Sequence, residues 1–333
     1  MDEVEGWEMA RWSRRRVLNR VGAVILAQAV VGGLKEAEGV SFDTDRYGDK
    51  EMKVSLINRT KQNIRNLLAE KPQLAAPLIA AAFSDGLTYD PATGGGGLNG
   101  SIRFELDRPS NTELKQVVDE IVKARATTKD VSVADVIAFA GAVVLEVTSG
   151  PRVVVQLGRE DASSADTRTD VPSFLDGSLE SSADDWVAAF ARCGFSNGAQ
   201  EAVLLRGAIG ILENIGNRQA EILGEEDTEE DEDLSYGDVR GKETRAVLVN
   251  SRVSSLTIKG GKFSNEYLSS LLASKDRENL LPGDRSLLEN EATAEWVKKY
   301  AGNNRAFVQD FAELFGKLSR LGSQYTVNKL LMD

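Results

Sequence analysis

Not one of the 333 residues is a histidine. That absence removes imidazole from every role: haem ligation, ordinary zinc and copper sites, and the Ser/His/Asp and Cys/His nucleophile pairs. Cys193 is the single cysteine, so no internal disulfide and no cysteine-based zinc cluster is available. Any catalysis would fall to carboxylates, Lys, Arg, Tyr, Ser or that one thiol. Positive charge is also short, with 40 Lys and Arg against 52 Asp and Glu for a net −12. Such a balance lacks the phosphate-neutralising footprint of a nucleic-acid binder. Strand-like runs are few, residues 152–157 and 246–258. What is present is apolar mass: 41% hydrophobic residues support a buried core in one large domain or two ordinary ones.

The amino terminus differs from the rest. Arg14, Arg15 and Arg16 precede an apolar run over residues 21–34 in which Gln28 is the only polar side chain. Arginines ahead of a short apolar stretch form the pattern of a twin-arginine export signal. As a helix the run would reach only about 21 Å, short of a hydrocarbon core of roughly 30 Å. Ala27-Gln28-Ala29 has the small-x-small look of a cleavage site. A retained membrane or partner helix between Val21 and Leu34 is the alternative, and Met1 to Glu8 is acid-rich, unlike a transit peptide.

From residue 50 onward, apolar residues recur at helical spacing. Ile57, Ile64, Leu67 and Leu68 share a face, and Pro72 stops that helix. Leu114, Val117, Val118, Ile121 and Val122 mark a second. Ser132 to Asp135 reads as a capping box before an apolar helix through Val147, ended by Gly150-Pro151. Trp186, Val187 and Phe190 lie on another, stopped near Gly194. Ser196 reads as the cap of a helix from Ala199 to about Leu212. Phe307, Phe311, Leu314, Leu318 and Leu321 keep a 4-3-4-3 spacing that faces a core. Gly94 to Gly97 form a turn rather than a phosphate cradle, because no Lys-Ser/Thr follows. Residues 225–233, eight of nine acidic, repel one another and read as a solvated insertion spanning about 224–245.

Several of these stretches resemble class I (ascorbate-type) haem peroxidases. Asp85-Gly86-Leu87-Thr88-Tyr89-Asp90 is similar to the segment after that family's distal histidine, and residues 97–105 (GLNGSIRFE) to its next loop. Residues 131–151 (VSVADVIAFAGAVVLEVTSGP) resemble its central helix, with Gly158-Arg159-Glu160-Asp161 and Val171-Pro172 following at the expected distances. Residues 262–267 and 280–288 resemble the proximal-side segments, and residues 295–322 the last helix. The likeness covers roughly residues 50–322, and within the family it is greatest to the ascorbate-peroxidase-like proteins of the thylakoid lumen.

The resemblance implies a mainly α, two-lobed haem-peroxidase-like fold with few short β-strands, a distal lobe over about 50–160, a proximal lobe over about 161–322, and a tail at 323–333. Peroxidase chemistry would need a distal base with an assisting arginine and a proximal histidine held by a carboxylate. The resemblance puts the distal histidine position at Ser84, the aromatic before it at Phe83, the arginine at Ala80 and the proximal ligand at Ile209. Asp284 and Asn111 match the carboxylate and the asparagine that support those histidines, and each also sits where it could cap a helix. Cys193 falls away from the pocket. The implied reading is a pseudo-peroxidase without haem or metal, acting as a structural or accessory subunit of a photosynthetic membrane complex, photosystem II before photosystem I, on the lumenal side. A module holding a tetrapyrrole, pigment or lipid in an unfilled cavity near Ile209, Ser84 and Phe83 is a second reading. A subunit of a mitochondrial membrane assembly is a third, and a residual enzyme using Tyr89, Cys193 or paired carboxylates a fourth.

Overall fold

The computed structural model describes residues 49–126, 128, 130–175, 181–229, 256, 258 and 261–323. The twin-arginine segment with residues 21–34, most of the acidic insertion and nearly all of the tail lie outside the described residues. Ten α-helices occur among them: α1 (Asp49–Glu70), α2 (Ala75–Gly86), α3 (Lys115–Ala126), α4 (Val133–Val147), α5 (Ala183–Arg192), α6 (Gly198–Glu229), α7 (Glu266–Ala273), α8 (Pro282–Glu289), α9 (Glu291–Ala301) and α10 (Asn304–Leu318). Short 3₁₀ turns at Pro72–Leu74, Ser101–Phe104 and Pro109–Leu114 join the first of these. The chain is mainly helical, as its apolar spacing predicts.

α6 is the axis of the fold. It packs against α2, α5, α7, α9 and α10 and against the Pro72–Leu74 turn, and residues 202–205, 208, 209, 211, 212 and 215 along it are all buried. A helix apolar on nearly every side belongs in the middle of a bundle. α4 is similar, buried from Val133 to Leu145.

The start signals work in part. Ser132 caps α4 by accepting from Asp135 N, but the Asp135 carboxylate turns away to Gly158 N (2.7 Å) and to the Arg159 guanidinium (2.9 Å). Arg159, fully buried, also donates to Ser319 O and so ties the start of α4 to the end of α10. A reciprocal capping box does form at α5, between Ser182 and Asp185.

Several expectations need correction. Residues 152–157 are extended and alternate in exposure, with Val153, Val155 and Leu157 against the core and Val154 90% exposed. None of them is in a strand, and bridge residues among the described residues are confined to Asp90, Gly95 and Arg159. Alternation reports one buried face; a strand also needs a neighbour to accept its hydrogen bonds. Of the second run, 246–258, only Leu256 and Ile258 are described. Val122 lies 42% exposed on the outer edge of α3. α6 begins at Gly198, where Asn197 O accepts from Gln200 N, and it continues well past Leu212.

The α10 stripe is buried at Phe307, Phe311, Leu314 and Leu318, and Phe315 adds to it. The Phe315 ring lies against α4 at Gly141, where an added Cβ would stand 2.2 Å from the ring. Gly141→Ala is therefore expected to destabilise the fold by about 1–3 kcal/mol through overpacking, read as a lowered urea midpoint; an unchanged midpoint would show that Phe315 moves aside freely.

Candidate functional site

Of the residues matched to the peroxidase centre, Ala80, Phe83 and Ser84 lie on α2 and Ile209 on α6. Ala80, Phe83, Ser84 and Ile209 are all at most 3% exposed. The two helices approach within 8 Å, Cα to Cα. Contact at that range is direct packing of the two helices along part of their length. Phe83 fills its surroundings with rings: Phe190 of α5 at 6.0 Å, Phe315 at 6.1 Å and Phe311 at 6.3 Å between centroids. Grooves of about 390 and 410 Å³ open on the described surface, and neither is lined by any of these four residues.

Ser84 Oγ is buried with no hydrogen-bond partner, and a lone hydroxyl has no basicity with which to take a proton from peroxide. Ala80 offers no charge, and Ile209 no heteroatom for iron. The neighbour of Ser84 is engaged elsewhere. Asp85 accepts from Gly100 N (2.8 Å) and Ile102 N (2.9 Å), and so holds the glycine-bearing loop onto α2. Burial pushes its carboxyl up to about 7, against those two amides and with added repulsion from Glu105 and Asp166.

Close to Ile209 along α6 the charges are paired. Arg206, one turn before Ile209, is 3% exposed, and its Nε donates to Asp284 Oδ1 at 2.8 Å and its Nη2 to Asp284 Oδ2 at 3.2 Å. This fork-on-carboxylate geometry is the strongest common form of the ion pair. The Tyr267 hydroxyl donates to Asp284 Oδ2 at 2.5 Å and accepts from Arg206 Nη2 at 2.6 Å. Glu213 lies 3.6 Å from Arg206 Nη1. Burial works against the Arg206 charge, but Asp284, Tyr267 and Glu213 outweigh it and hold the guanidinium protonated. Burial, with Asp284 beside it, raises the Tyr267 phenol well above its ordinary range. Gly210 makes this possible, because a Cβ there would stand 2.3 Å from the Tyr267 ring.

Asp284 therefore does not cap a helix. It sits inside α8, whose N-terminal residue Leu281 has no side-chain cap. Asn111 likewise lies within the Pro109–Leu114 turn and donates from Nδ2 to Glu105 O at 3.2 Å. Both residues resemble caps locally, but burial sends their side chains inward. Cys193 closes α5 with Sγ 3.3 Å from Leu87 O and 3.4 Å from Tyr89 O; burial pushes the thiol up to about 11, which keeps it protonated and unreactive. Sequence reasoning missed Arg206 and its partners. The signal was there: Arg206 is the one charge in the apolar run AVLLRGAIGIL, and a charge in such a run must find a buried partner.

The residues at this centre do not fit a haem. Even so, the model of the peroxidase family matches residues 60–303. The chain is 30% identical to the probable peroxisomal L-ascorbate peroxidase 4 of Oryza sativa subsp. japonica, over 80% of this chain and 79% of that protein. It is 29% identical to the chloroplastic L-ascorbate peroxidase T of Arabidopsis thaliana, over 69% of this chain and 51% of that one. Among solved structures, the crystal structure of the TL29 protein from Arabidopsis thaliana matches with a TM-score of 0.52 at 18% identity, covering 84% of this chain and 98% of that one.

Proposed function

Since this chain belongs to the peroxidase family, with ascorbate peroxidases among its relatives, we propose that it is a non-catalytic, haem-free member that serves as a binding or structural subunit. The observation that carries this is the state of Asp284. In the resemblance it is the carboxylate that would orient a proximal histidine; here both of its oxygens are taken by Arg206 and Tyr267. With Ile209 and Ser84 at the two histidine positions that the resemblance implies, neither half of peroxide activation has its group. Ala80 and Phe83 complete the set of replaced positions, and Asn111 and Asp284 are remnants with structural work.

The address we propose is the lumenal side of the chloroplast thylakoid membrane, in a photosystem complex. Support comes from the Arg14–Arg16 pattern ahead of residues 21–34, from a relative named as chloroplastic, and from the resemblance to lumenal ascorbate-peroxidase-like proteins. Among the described residues no helix is long and apolar enough to cross a membrane, so any such contact would fall to the amino-terminal run. In mildly solubilised thylakoids resolved on a native gel, the protein is expected to migrate with a photosystem complex. The purified protein is expected to consume peroxide no faster with ascorbate than a haem-free blank. Migration only as the free chain overturns the subunit reading, and ascorbate-dependent turnover overturns the non-catalytic one.

A further inference from the structure

Three of the largest exposed apolar side chains on the described surface meet in one place. Val147 (45% exposed), Ile222 (54%) and Leu223 (38%) border a groove of about 390 Å³ between the C-terminal end of α1, the Pro72–Leu74 turn, the end of α4 and the outer side of α6. Leu68, Ala69 and Pro72 form the rest of its apolar wall. The volume lies within the range of small-molecule sites, about 300–1,000 Å³. One rim is cationic. Arg65 lines the groove and meets Glu146 at 2.9 Å, Lys61 reaches the same carboxylate at 3.7 Å, and the field of Arg152 falls on it too. Three cations share one anion, on a chain whose net charge is −12.

An apolar trough with surplus positive charge at one rim complements one ligand chemistry, an unbranched hydrocarbon tail ending in an anion. We propose that this groove binds a fatty carboxylate, the tail along Leu68, Val147, Ile222 and Leu223 and the carboxylate at Arg65 and Lys61. None of Ala80, Phe83, Ser84 and Ile209 lines this site, and it stands whether or not the subunit reading holds.

The test is isothermal titration of the full-length protein with dodecanoate below its critical micelle concentration, with dodecyltrimethylammonium as the charge-reversed control. Saturable one-to-one binding is expected, weakened about tenfold or more for the cationic probe, since like charges at the rim repel it. Ala69→Trp, whose indole would fill the groove from one wall, and Leu223→Asp, which removes apolar contact from the opposite wall, are each expected to weaken dodecanoate about tenfold. Arg65→Gln should weaken it about threefold. The proposal is overturned by the absence of saturable heat, by equal binding of the two probes, or by binding that neither wall variant changes. Concentration-dependent dimerisation lost in both wall variants, without dodecanoate binding, would assign the groove to a second copy of the chain instead.

Discussion

Replacing Arg206 with methionine is expected to lower the unfolding free energy by about 3–5 kcal/mol at pH 8, because a buried carboxylate, Asp284, then loses the cation paired with it. Asp284 is 1% exposed, its partners come from α6 and α7, and the Tyr267 hydroxyl alone cannot neutralise it. Removing Arg206, Tyr267 and Asp284 together should be far milder than removing Arg206 alone. An apolar replacement of similar volume, R206M/Y267F/D284L, leaves none of the three groups uncompensated, and such replacements of buried ion pairs are often neutral or stabilising. Urea denaturation of the single and triple variants reads this directly. A triple variant as unstable as R206M would show that the cluster stabilises the fold outright rather than merely tolerating its own burial.

The second large effect is a stability that falls as pH rises. The Asp85 carboxyl sits at about 7 in the folded protein, against 3.8 in an ordinary aspartate, so the folded state holds this proton more tightly than the unfolded chain. Its contribution is complete below pH 4, declines as pH climbs from there to 7, and is flat beyond. At 1.36 kcal/mol for each pH unit, the interval from 3.8 to about 7 corresponds to roughly 4 kcal/mol. Burial also holds Asp135 and Glu201 above the usual carboxylate range, so the comparison that isolates Asp85 is between wild type and Asp85→Asn. The variant loses one acceptor for the Gly100 and Ile102 amides and starts less stable. Its unfolding free energy should nevertheless change less between pH 4.5 and pH 8. Parallel pH profiles for the two proteins would contradict the assignment.

How much of this was legible in one dimension follows from what each feature needs. The α10 stripe, Phe307 to Leu318, is a local period, and it is buried as read. Phe315 next to it is not predictable from that period, because its place is made by Gly141 on α4, a partner 174 positions away. The two vestigial residues fail for a related reason. Asp284 and Asn111 stand where a cap would, yet each is within 3% of full burial and is claimed by a distant or buried group. Residues 152–157 show the same limit in another form: alternation fixed which side chains face the core but could not supply a neighbouring strand. The four positions at the centre, Ala80, Phe83, Ser84 and Ile209, came from resemblance, not from period. Each of the four is buried; it was Arg206, chemically the most informative residue nearby, that resemblance passed over.

The central claim is that the buried residues of α2 and α6 matched to the peroxidase centre offer no ligand for haem, and haemin titration in the Soret region tests it most directly. Purified full-length protein titrated with haemin is expected to give only the broad, non-saturating absorbance of free or surface-adsorbed haemin, with no change in Ile209→Ala. A sharp Soret band that saturates at one haem per chain would contradict the account.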